Sequence, residues 1–318
     1  MSIAALSGCG RAPQRLSLPF PEQPAEVIPG VSKNYASTCH GCPAGCGLLV
    51  KVRDGRPLKM EGMPEHPLSK GGLCATGQAL PLELYDSFRL KHPIYKGAPA
   101  TWEDLDRKIG LEIEAIKANK LAVRFVTPTI TSPTTKEEIR RFLGEFTDGK
   151  HLMFDPVSSS AILDAHLETH GRRVLPHYDF AAAKVIVACG ADFLGTWISP
   201  VEFTAGWSSR RRPTTTTPEM SYHVQLEGRL SLTGTKADRR YRVSPLEFGM
   251  VLSEIASRIA ARAGVSFPRV EYKHRPLPEE AIEDLASRLW AAQAESLVIC
   301  DSQDVATQTV VNFINYTL

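Results

Sequence analysis

The stretch that decides the fold reads Cys39-His40-Gly41-Cys42-Pro43-Ala44-Gly45-Cys46-Gly47, and a fourth cysteine follows at Cys74. Three thiolates in one tight loop and a distant fourth can surround a compact metal centre. The glycines and the proline keep the loop turned and let backbone N–H groups approach the sulfur atoms. The spacing therefore predicts a metal-binding loop that is closed by Cys74.

Zinc and disulfides are the alternative uses of these four cysteines. Structural zinc usually brings two close pairs of cysteines, and Cys74 has no near partner in the sequence, so zinc fits poorly. Two disulfides are open to an exported chain, and a cytosolic set of unligated thiols is the weakest interpretation. The spacing favours an iron–sulfur cluster over zinc and disulfides without excluding either.

The Asp54-Gly55 pair predicts a β-hairpin. Residues 48–52 and 57–61 are short strand-like runs on either side of it, and Asp-Gly between such runs is a strong turn signal. Residues 35–80 are otherwise dense in Gly, Pro and Cys. The core of such a small β-rich module is too thin to fold alone, so we expect a metal or another cross-link to stabilise it.

Strands and helices alternate beyond about residue 100. We predict strands over residues 121–126, 152–154, 184–189 and 297–300. We predict helices from Thr101, over residues 135–146, 160–169, 245–263 and 278–294, and from Asp304. This alternation is typical of βαβ units around a parallel sheet. The expected fold class is α/β, with a small β-rich iron–sulfur module on a Rossmann-like parallel sheet.

Composition and charge exclude two classes of function. A net charge of +2 over 318 residues gives no sign of nucleic-acid binding, and we interpret Arg210-Arg211-Arg212 as a solvated loop. No stretch approaches the roughly 18 uninterrupted apolar residues of a transmembrane helix. Cys189 and Cys300 each end an apolar run, so we expect them to be buried small hydrophobic residues at strand ends.

Cys9 follows Leu6-Ser7-Gly8, which resembles the site where a bacterial lipoprotein precursor is cut and its cysteine is acylated. Residues 11–30 are rich in proline and polar residues and have the composition of an extended tether. An export signal requires a basic residue before its apolar segment. No basic residue precedes the apolar segment here. Either the true start lies upstream or Cys9 is incidental, and we favour the lipoprotein interpretation.

Residues 35–78 resemble the N-terminal [4Fe-4S] domain of the molybdopterin oxidoreductase family. The resemblance is carried by the cysteine loop, by the segment Glu61-Gly62-Met63-Pro64-Glu65-His66-Pro67, and by Gly71-Gly72-Leu73-Cys74. It implies that one [4Fe-4S] cluster is bound by Cys39, Cys42, Cys46 and Cys74. His40 and His66 match no ligand position, so we expect them near the cluster or at the surface.

The resemblance extends into the second half of the chain. Residues 178–197 look like the strand and nucleotide-contacting loop of the family, and residues 230–245 look like its next βα unit. The sequence of these segments most resembles that of the molybdopterin-oxidoreductase-like subunit of alternative complex III, a quinol-oxidising membrane assembly. That branch implies electron transfer, a ferredoxin-like multi-cluster partner and membrane quinol-oxidising subunits. It is also thought to have lost its molybdenum cofactor.

Three departures from catalytic members weigh against a bis-MGD molybdenum cofactor. Thr76 stands where many members have Lys or Arg between the cluster and the pterin. Ser158 could stand at the metal-ligating position, but a serine before a helix is more often a cap or turn residue. The chain is also shorter than half of a complete catalytic subunit. The alternatives kept open are a catalytic fragment acting on a small oxyanion or sulfur compound, and a non-redox assembly platform.

The expected organisation has three parts. Residues 1–30 are a signal remnant and tether, residues 31–95 the [4Fe-4S] domain, and residues 96–318 an α/β domain that is incomplete at its C-terminus. The family typically crosses the membrane folded, by the twin-arginine route. We therefore expect the protein on the periplasmic side of the bacterial cytoplasmic membrane, lipid-anchored at Cys9.

Overall fold

The computed structural model describes residues 22, 24–215, 218–268 and 274–318. Cys9 and most of the predicted tether lie outside the described residues. The described residues divide into two compact units, one with those up to 41 and those of 46–89, the other with those of 42–45 and 90–318. Within the described residues, no helix is both long enough and apolar enough to span a membrane.

The first unit is built on a three-stranded antiparallel sheet in the order β1-β2-β3. Its strands are β1 (Ser32–Thr38), β2 (Gly47–Arg53) and β3 (Arg56–Gly62). Asp54 and Gly55 have φ angles of 48° and 74°, as the two central residues of a type I′ hairpin require. The predicted hairpin is therefore confirmed, and β1 adds a strand that the sequence pattern did not indicate.

Helix α1 (Ala75–Tyr85) begins directly after Cys74. The sequence did not predict it, because Gly77 and Pro81 lie inside it and both disfavour a helix interior. A Cβ at Gly77 would lie 2.3 Å from the Cδ1 atom of Leu73, so the leucine side chain would have to move to admit one. Close packing of Leu73 against the first turn of the helix therefore outweighs the low helix propensity.

The first part of the second unit contains a two-stranded parallel sheet, β6-β7, and a short hairpin, β4-β5. Its elements are β4 (Ile94–Tyr95), β5 (Ala98–Pro99), α2 (Trp102–Ala118), β6 (Ala122–Thr127), α3 (Pro133–Leu143), β7 (Asp148–Met153) and α4 (Ser160–His170). Thr101 caps α2 as predicted, accepting the Asp104 N–H at 3.1 Å. The predicted strand 152–154 is wrong in its bounds, since β7 starts at Asp148 and ends at Met153.

The remaining elements form a four-stranded parallel sheet in the order β10-β9-β8-β11. They are β8 (Val185–Cys189), α5 (Pro200–Ser209), β9 (Tyr222–Glu227), α6 (Leu232–Lys236), β10 (Arg239–Arg242), α7 (Phe248–Ala263), α8 (Glu279–Ala292), β11 (Ser296–Cys300) and α9 (Val305–Thr317). The predicted helix 245–263 begins as a 3₁₀ turn over Pro245–Glu247, and only then becomes α7. The α/β class with parallel strands is confirmed.

Both faces of this sheet are covered by apolar side chains. Ile255 of α7, Leu285 of α8 and Ile314 of α9 pack in a core on one side, and each is at most 1% exposed. The other side carries a smaller aromatic cluster that includes Phe180, Phe193 and Phe203. Such double burial is expected for a parallel sheet.

Cys189 and Cys300 are 0% and 1% exposed at the ends of β8 and β11, as predicted. The solvated-loop interpretation of the arginine triplet is wrong for Arg211. Its guanidinium bonds both carboxylate oxygens of Asp238 at 2.7 Å, and its side chain is only 14% exposed. A bidentate ion pair therefore holds Arg211 in the fold.

Candidate iron–sulfur site

Cys39 and Cys46 are brought together by the pairing of β1 with β2. Thr38 is paired with Gly47 at the end of that ladder, so the two cysteines are the next residues on each strand. The Cys39 N–H donates to the Cys46 carbonyl at 2.8 Å. Both residues are buried, at 6% and 7% exposure. The sheet thus fixes two of the predicted ligands at its closed end.

The Cys39 sulfur accepts a backbone hydrogen bond. Gly41 N lies 3.4 Å from Cys39 Sγ, and its N–H donates a hydrogen bond to that sulfur. Backbone N–H groups aimed at cysteine sulfur stabilise the negative charge of a thiolate, and around an iron–sulfur cluster they raise the reduction potential. This contact is the feature that the glycine-rich loop predicted.

Cys74 lies at the N-cap of α1, and its carbonyl accepts the Gln78 N–H at 3.0 Å. The amino end of a helix carries a partial positive charge that favours a nearby anion, such as a thiolate. The first turn of α1 contains no acidic side chain that would oppose this effect. Cys74 is therefore placed where a metal-bound thiolate is electrostatically favoured.

Hydrogen bonds among Gly47, Ser69 and His66 support the cysteine loop. Ser69, 2% exposed, accepts the Gly47 N–H on Oγ at 3.3 Å and is 3.0 Å from His66 Nδ1. The Ser69 N–H also donates to His66 Nδ1, at 3.2 Å. The Nδ1 atom is therefore the acceptor, and the neutral imidazole carries its proton on Nε2. His66, in the family-like segment at residues 61–67, thus helps to hold the start of β2 in place through Ser69.

Two glycines are required by this packing. A Cβ at Gly47 would lie 2.7 Å from His66 Cβ, and a Cβ at Gly62 would lie 2.2 Å from the Gly71 carbonyl oxygen. Met63 N donates to the Gly47 carbonyl at 3.0 Å. The turn after β3 therefore lies directly against the backbone that enters the cysteine loop. Sequence reasoning identified residues 61–67 but missed the role of Ser69, which no motif marks.

Cys42 belongs to the short segment 42–45 that is grouped with the second unit, and it is exposed. Gly45, with φ of 60°, donates to the Cys42 carbonyl at 3.4 Å and so turns the loop back. In the part of the chain that the structure describes, no three His, Cys, Asp or Glu side chains converge on one point that could hold a metal ion. The described cysteines form no disulfide with one another. The four-cysteine ligand set remains a prediction.

Thr76 and Ser158 have structural roles of their own. The Thr76 methyl carbon lies 3.7 Å from the position that a Gly41 Cβ would take, so a neutral side chain stands beside the cysteine loop. Ser158 Oγ accepts the Ser160 N–H at 3.0 Å, as a turn residue before α4. That contact is the one expected of a structural serine.

The carboxyl end of the four-stranded sheet is where a parallel α/β fold would bind a nucleotide. Asp192 Oδ1 there accepts the N–H and the hydroxyl of Thr233, at 3.0 and 2.7 Å. Glu227 accepts Ser231 Oγ at 2.6 Å and Arg240 Nε at 2.5 Å. Burial raises the pKa of Glu227, but the bonds from Arg240 and Ser231 outweigh it and leave the pKa below its ordinary value.

These contacts use the acceptors that a ligand would need. Asp192 and Glu227 already accept protein donors, and a Cβ at Gly190 would lie 2.0 Å from Asp301 Oδ1, so the edge is crowded beside them. Burial also raises the pKa of Asp301 to about 6. This arrangement does not favour a bound pterin dinucleotide, whereas the buried cysteines and the N–H donor beside them fit an iron–sulfur cluster.

Comparison with known proteins gives the same assignment for the cysteine region. Residues 32–86 match the molybdopterin oxidoreductase Fe4S4 domain. The menaquinone reductase, molybdopterin-binding-like subunit of Nitratidesulfovibrio vulgaris is 26% identical over 175 residues, which cover 54% of this chain and 25% of that protein. The molybdopterin-containing subunit of the arsenate respiratory reductase of a Shewanella species is 24% identical over 270 residues, covering 80% of this chain and 30% of that protein.

A solved structure agrees with the fold. Acetylene hydratase from Pelobacter acetylenicus superimposes with a TM-score of 0.56 at 13% identity, covering 89% of this chain and 42% of that chain. At this identity the likeness concerns the fold alone. The matched region thus spans from about a quarter to less than half of the length of these three proteins. Residues 32–86 therefore match the Fe4S4 domain of the molybdopterin oxidoreductases, and the chain shares its α/β fold with acetylene hydratase.

Proposed function

We propose that the protein is an electron-transfer subunit that holds one [4Fe-4S] cluster. The ligands would be Cys39, Cys42, Cys46 and Cys74. The observation that carries the proposal is the hydrogen bond from Gly41 N to the buried Cys39 Sγ, a donor placed for a charged sulfur. A bound cluster supplies one-electron chemistry.

The chain's own residues would set the properties of that centre. Burial of Cys39 and Cys46 excludes water from two of the sulfur atoms, and the Gly41 N–H donates a hydrogen bond to the Cys39 sulfur. The amino end of α1 adds a favourable field at Cys74. These factors together would set the reduction potential of the cluster. The hydrogen bonds among Gly47, Ser69 and His66 support the loop that carries the cysteines.

The finer proposal is a place in a membrane-attached respiratory complex like alternative complex III. The match to a subunit called menaquinone reductase, molybdopterin-binding-like, supports a link to quinone chemistry. The partners would be a ferredoxin-like multi-cluster protein and membrane quinol-oxidising subunits. The chain would pass single electrons between them.

A catalytic molybdenum enzyme is the second candidate, because the arsenate respiratory reductase subunit matches 80% of the chain. Thr76, Ser158 and the occupied acceptors Asp192 and Glu227 argue against it. A non-redox platform is the third, and it would not need an N–H donor on a buried cysteine sulfur.

Metal and cofactor analysis of the anaerobically purified chain separates these candidates. We expect iron and sulfide in the ratio of one cubane cluster per chain, without molybdenum or pterin. Molybdenum with pterin would establish the catalytic candidate instead. Zinc in place of iron, or no metal at all, would leave only the platform.

We also propose that the protein works on the periplasmic side of the cytoplasmic membrane, lipid-anchored at Cys9. The lipobox-like Leu6-Ser7-Gly8-Cys9 supports this. The test is protease digestion of intact spheroplasts, with membrane fractionation of a Cys9→Ala variant. Full protection of the wild-type protein from protease would contradict the location. Unchanged membrane association of the variant would contradict the anchor.

A further inference from the structure

Helix α4 presents two histidines on one face. His166 and His170 are four residues apart, and their rings are stacked with centroids 5.2 Å apart and an angle of 17° between their planes. Residues at this spacing are neighbours on the surface of a helix, whereas Glu168, two residues from each histidine, does not face them. The pair is independent of the proposed electron-transfer function, which uses neither histidine.

The proton of the neutral His166 ring lies on Nδ1. This nitrogen is 2.9 Å from the carbonyl oxygen of Ile162, and a carbonyl oxygen can only accept a hydrogen bond. Asn312 Nδ2 lies 3.4 Å from the same nitrogen, too far to compete with the carbonyl. The free lone pair of the ring is therefore on Nε2.

The proton of His170 is fixed in the same way, through Thr169. The Thr169 hydroxyl donates its one hydrogen to the Ala165 carbonyl at 2.7 Å. Towards His170 Nδ1, also at 2.7 Å, Thr169 Oγ1 can therefore only accept. Asn312 Nδ2 donates to the same Oγ1 at 2.9 Å and helps to hold it in place. His170 is thus an Nδ1–H tautomer as well, with its lone pair on Nε2.

Neither Nε2 atom is occupied or closed off. Within the described residues, neither makes a hydrogen bond. His170 is exposed, and the Nε2 of the half-buried His166 is open to solvent. Histidines that ligate a metal almost always donate their other ring N–H to a carbonyl or a similar acceptor, which fixes the tautomer and the ring orientation. Both histidines show this arrangement.

The position on the helix favours a cation. His170 is the last residue of α4, and the carboxyl end of a helix carries a partial negative charge. Arg173, just beyond the helix, is paired with Asp164 at 2.7 Å, which offsets its charge. The exposed side chains of Glu168 and Arg172 have opposite charges and offset each other.

We propose that the Nε2 atoms of His166 and His170 bind one divalent transition-metal ion. Imidazole suits Ni²⁺, Cu²⁺ and Zn²⁺, whereas Mg²⁺ and Mn²⁺ prefer oxygen ligands. Two histidines four residues apart on one helix face also supply two zinc ligands in metalloproteases. In the part of the chain that the structure describes, no third His, Cys, Asp or Glu side chain joins this pair. Water would fill the remaining positions, so the ion is exchangeable.

Equilibrium dialysis of the anaerobically purified chain against Ni²⁺ tests the site. The readout is the difference between wild type and His170→Gln. Ions held by cysteine thiols contribute equally to both proteins, so the result does not depend on whether a cluster is bound. We expect the wild type to bind one more Ni²⁺ per chain than the variant, and to bind Mn²⁺ about tenfold more weakly or less than Ni²⁺.

His166→Gln should lose the same ion. Loss of either ligand should lower the Ni²⁺ affinity of the site by about tenfold or more, since loss of an outer partner of a metal ligand already costs that much. Without Ni²⁺, both variants should melt like the wild type, because glutamine keeps a side-chain N–H donor. Added Ni²⁺ should raise the melting temperature more in the wild type than in either variant.

His177→Gln is the matched control. His177 is also exposed, but its Nε2 lies 2.8 Å from Glu202 Oε1 and is already occupied. This variant should bind Ni²⁺ like the wild type. Equal Ni²⁺ binding by wild type and His170→Gln, an equal loss in His177→Gln, or Mn²⁺ binding as tight as that of Ni²⁺ overturns the proposal.

Discussion

The Gly47 N–H and the Ser69 Oγ are joined at 3.3 Å across 22 residues of sequence. Through this bond the first residue of β2 is tied to the turn that leads to Cys74, and His66 Nδ1 lies 3.0 Å from the same Ser69 Oγ. Two stretches that carry predicted cluster ligands are therefore held together by protein contacts before any metal is considered. A metal would then close a loop whose ends already lie in one small unit.

Gly47→Ala should destabilise this unit. The new Cβ would lie 2.7 Å from His66 Cβ, closer than real Cβ contacts allow. His66, and with it Ser69, would therefore have to shift. We expect a loss of about 1–3 kcal/mol in the free energy of unfolding, measured by urea denaturation.

Gly110→Ala is the control for that variant. Gly110 lies inside α2 with open space around it, so alanine should be neutral or stabilise by about 0.5–1 kcal/mol. Equal effects of the two substitutions would show that the His66 contact does not constrain the fold.

Cys74→Ser should damage folding as well as redox activity. The hairpin at Asp54-Gly55 has little core of its own, so the metal would supply the cross-link between Cys46 and Cys74. By analogy with other cross-links, we expect a loss on the order of 3 kcal/mol, together with loss of the electron-paramagnetic signal of the reduced cluster. Wild-type protein stripped of iron should unfold like the variant. A variant that keeps both its signal and its thermal unfolding would contradict the prediction.

Because His223 is buried, the stability of the second unit should fall in acid. Burial lowers its pKa to about 4, whereas an unfolded histidine titrates near 6.5. The unfolded state therefore binds more protons between these values, and stability should fall as pH drops from about 6.5 to 4. The shift corresponds to about 3 kcal/mol when fully expressed.

The measurement is urea unfolding of wild type and His223→Gln at pH 7 and pH 4.5. The variant should lose less stability on acidification than the wild type. His40→Gln, at an exposed position, should behave like the wild type. A slope that is the same in all three proteins would exclude His223 as its source.

The parts of the fold that the sequence could predict are those set by residues close together in the chain. The Asp54-Gly55 turn and the Thr101 cap depend on neighbours in sequence, and both are present. Strand β9 was missed because its buried face carries His223, Gln225 and Glu227, and polar residues do not register in a hydrophobic pattern.

The site was predictable to a similar extent. The cysteine spacing needs no tertiary knowledge, and the family-like segment at residues 61–67 was recognisable as a motif. Ser69 acts only because the chain folds back to place its hydroxyl on Gly47, and no spacing rule encodes that approach.

Thr76→Lys should raise the reduction potential of the proposed cluster. Thr76 lies beside Gly41, whose N–H donates to Cys39 Sγ, and it is exposed, so a lysine can be accommodated there. A cation near the sulfur atoms stabilises the more negative, reduced state. Because solvent screens an exposed charge, we expect an increase on the order of tens of millivolts, measured by redox titration of the electron-paramagnetic signal. Thr76→Gln, similar in length but neutral, should leave the potential near that of the wild type. Equal potentials in the Lys and Gln variants would contradict a cluster beside Thr76.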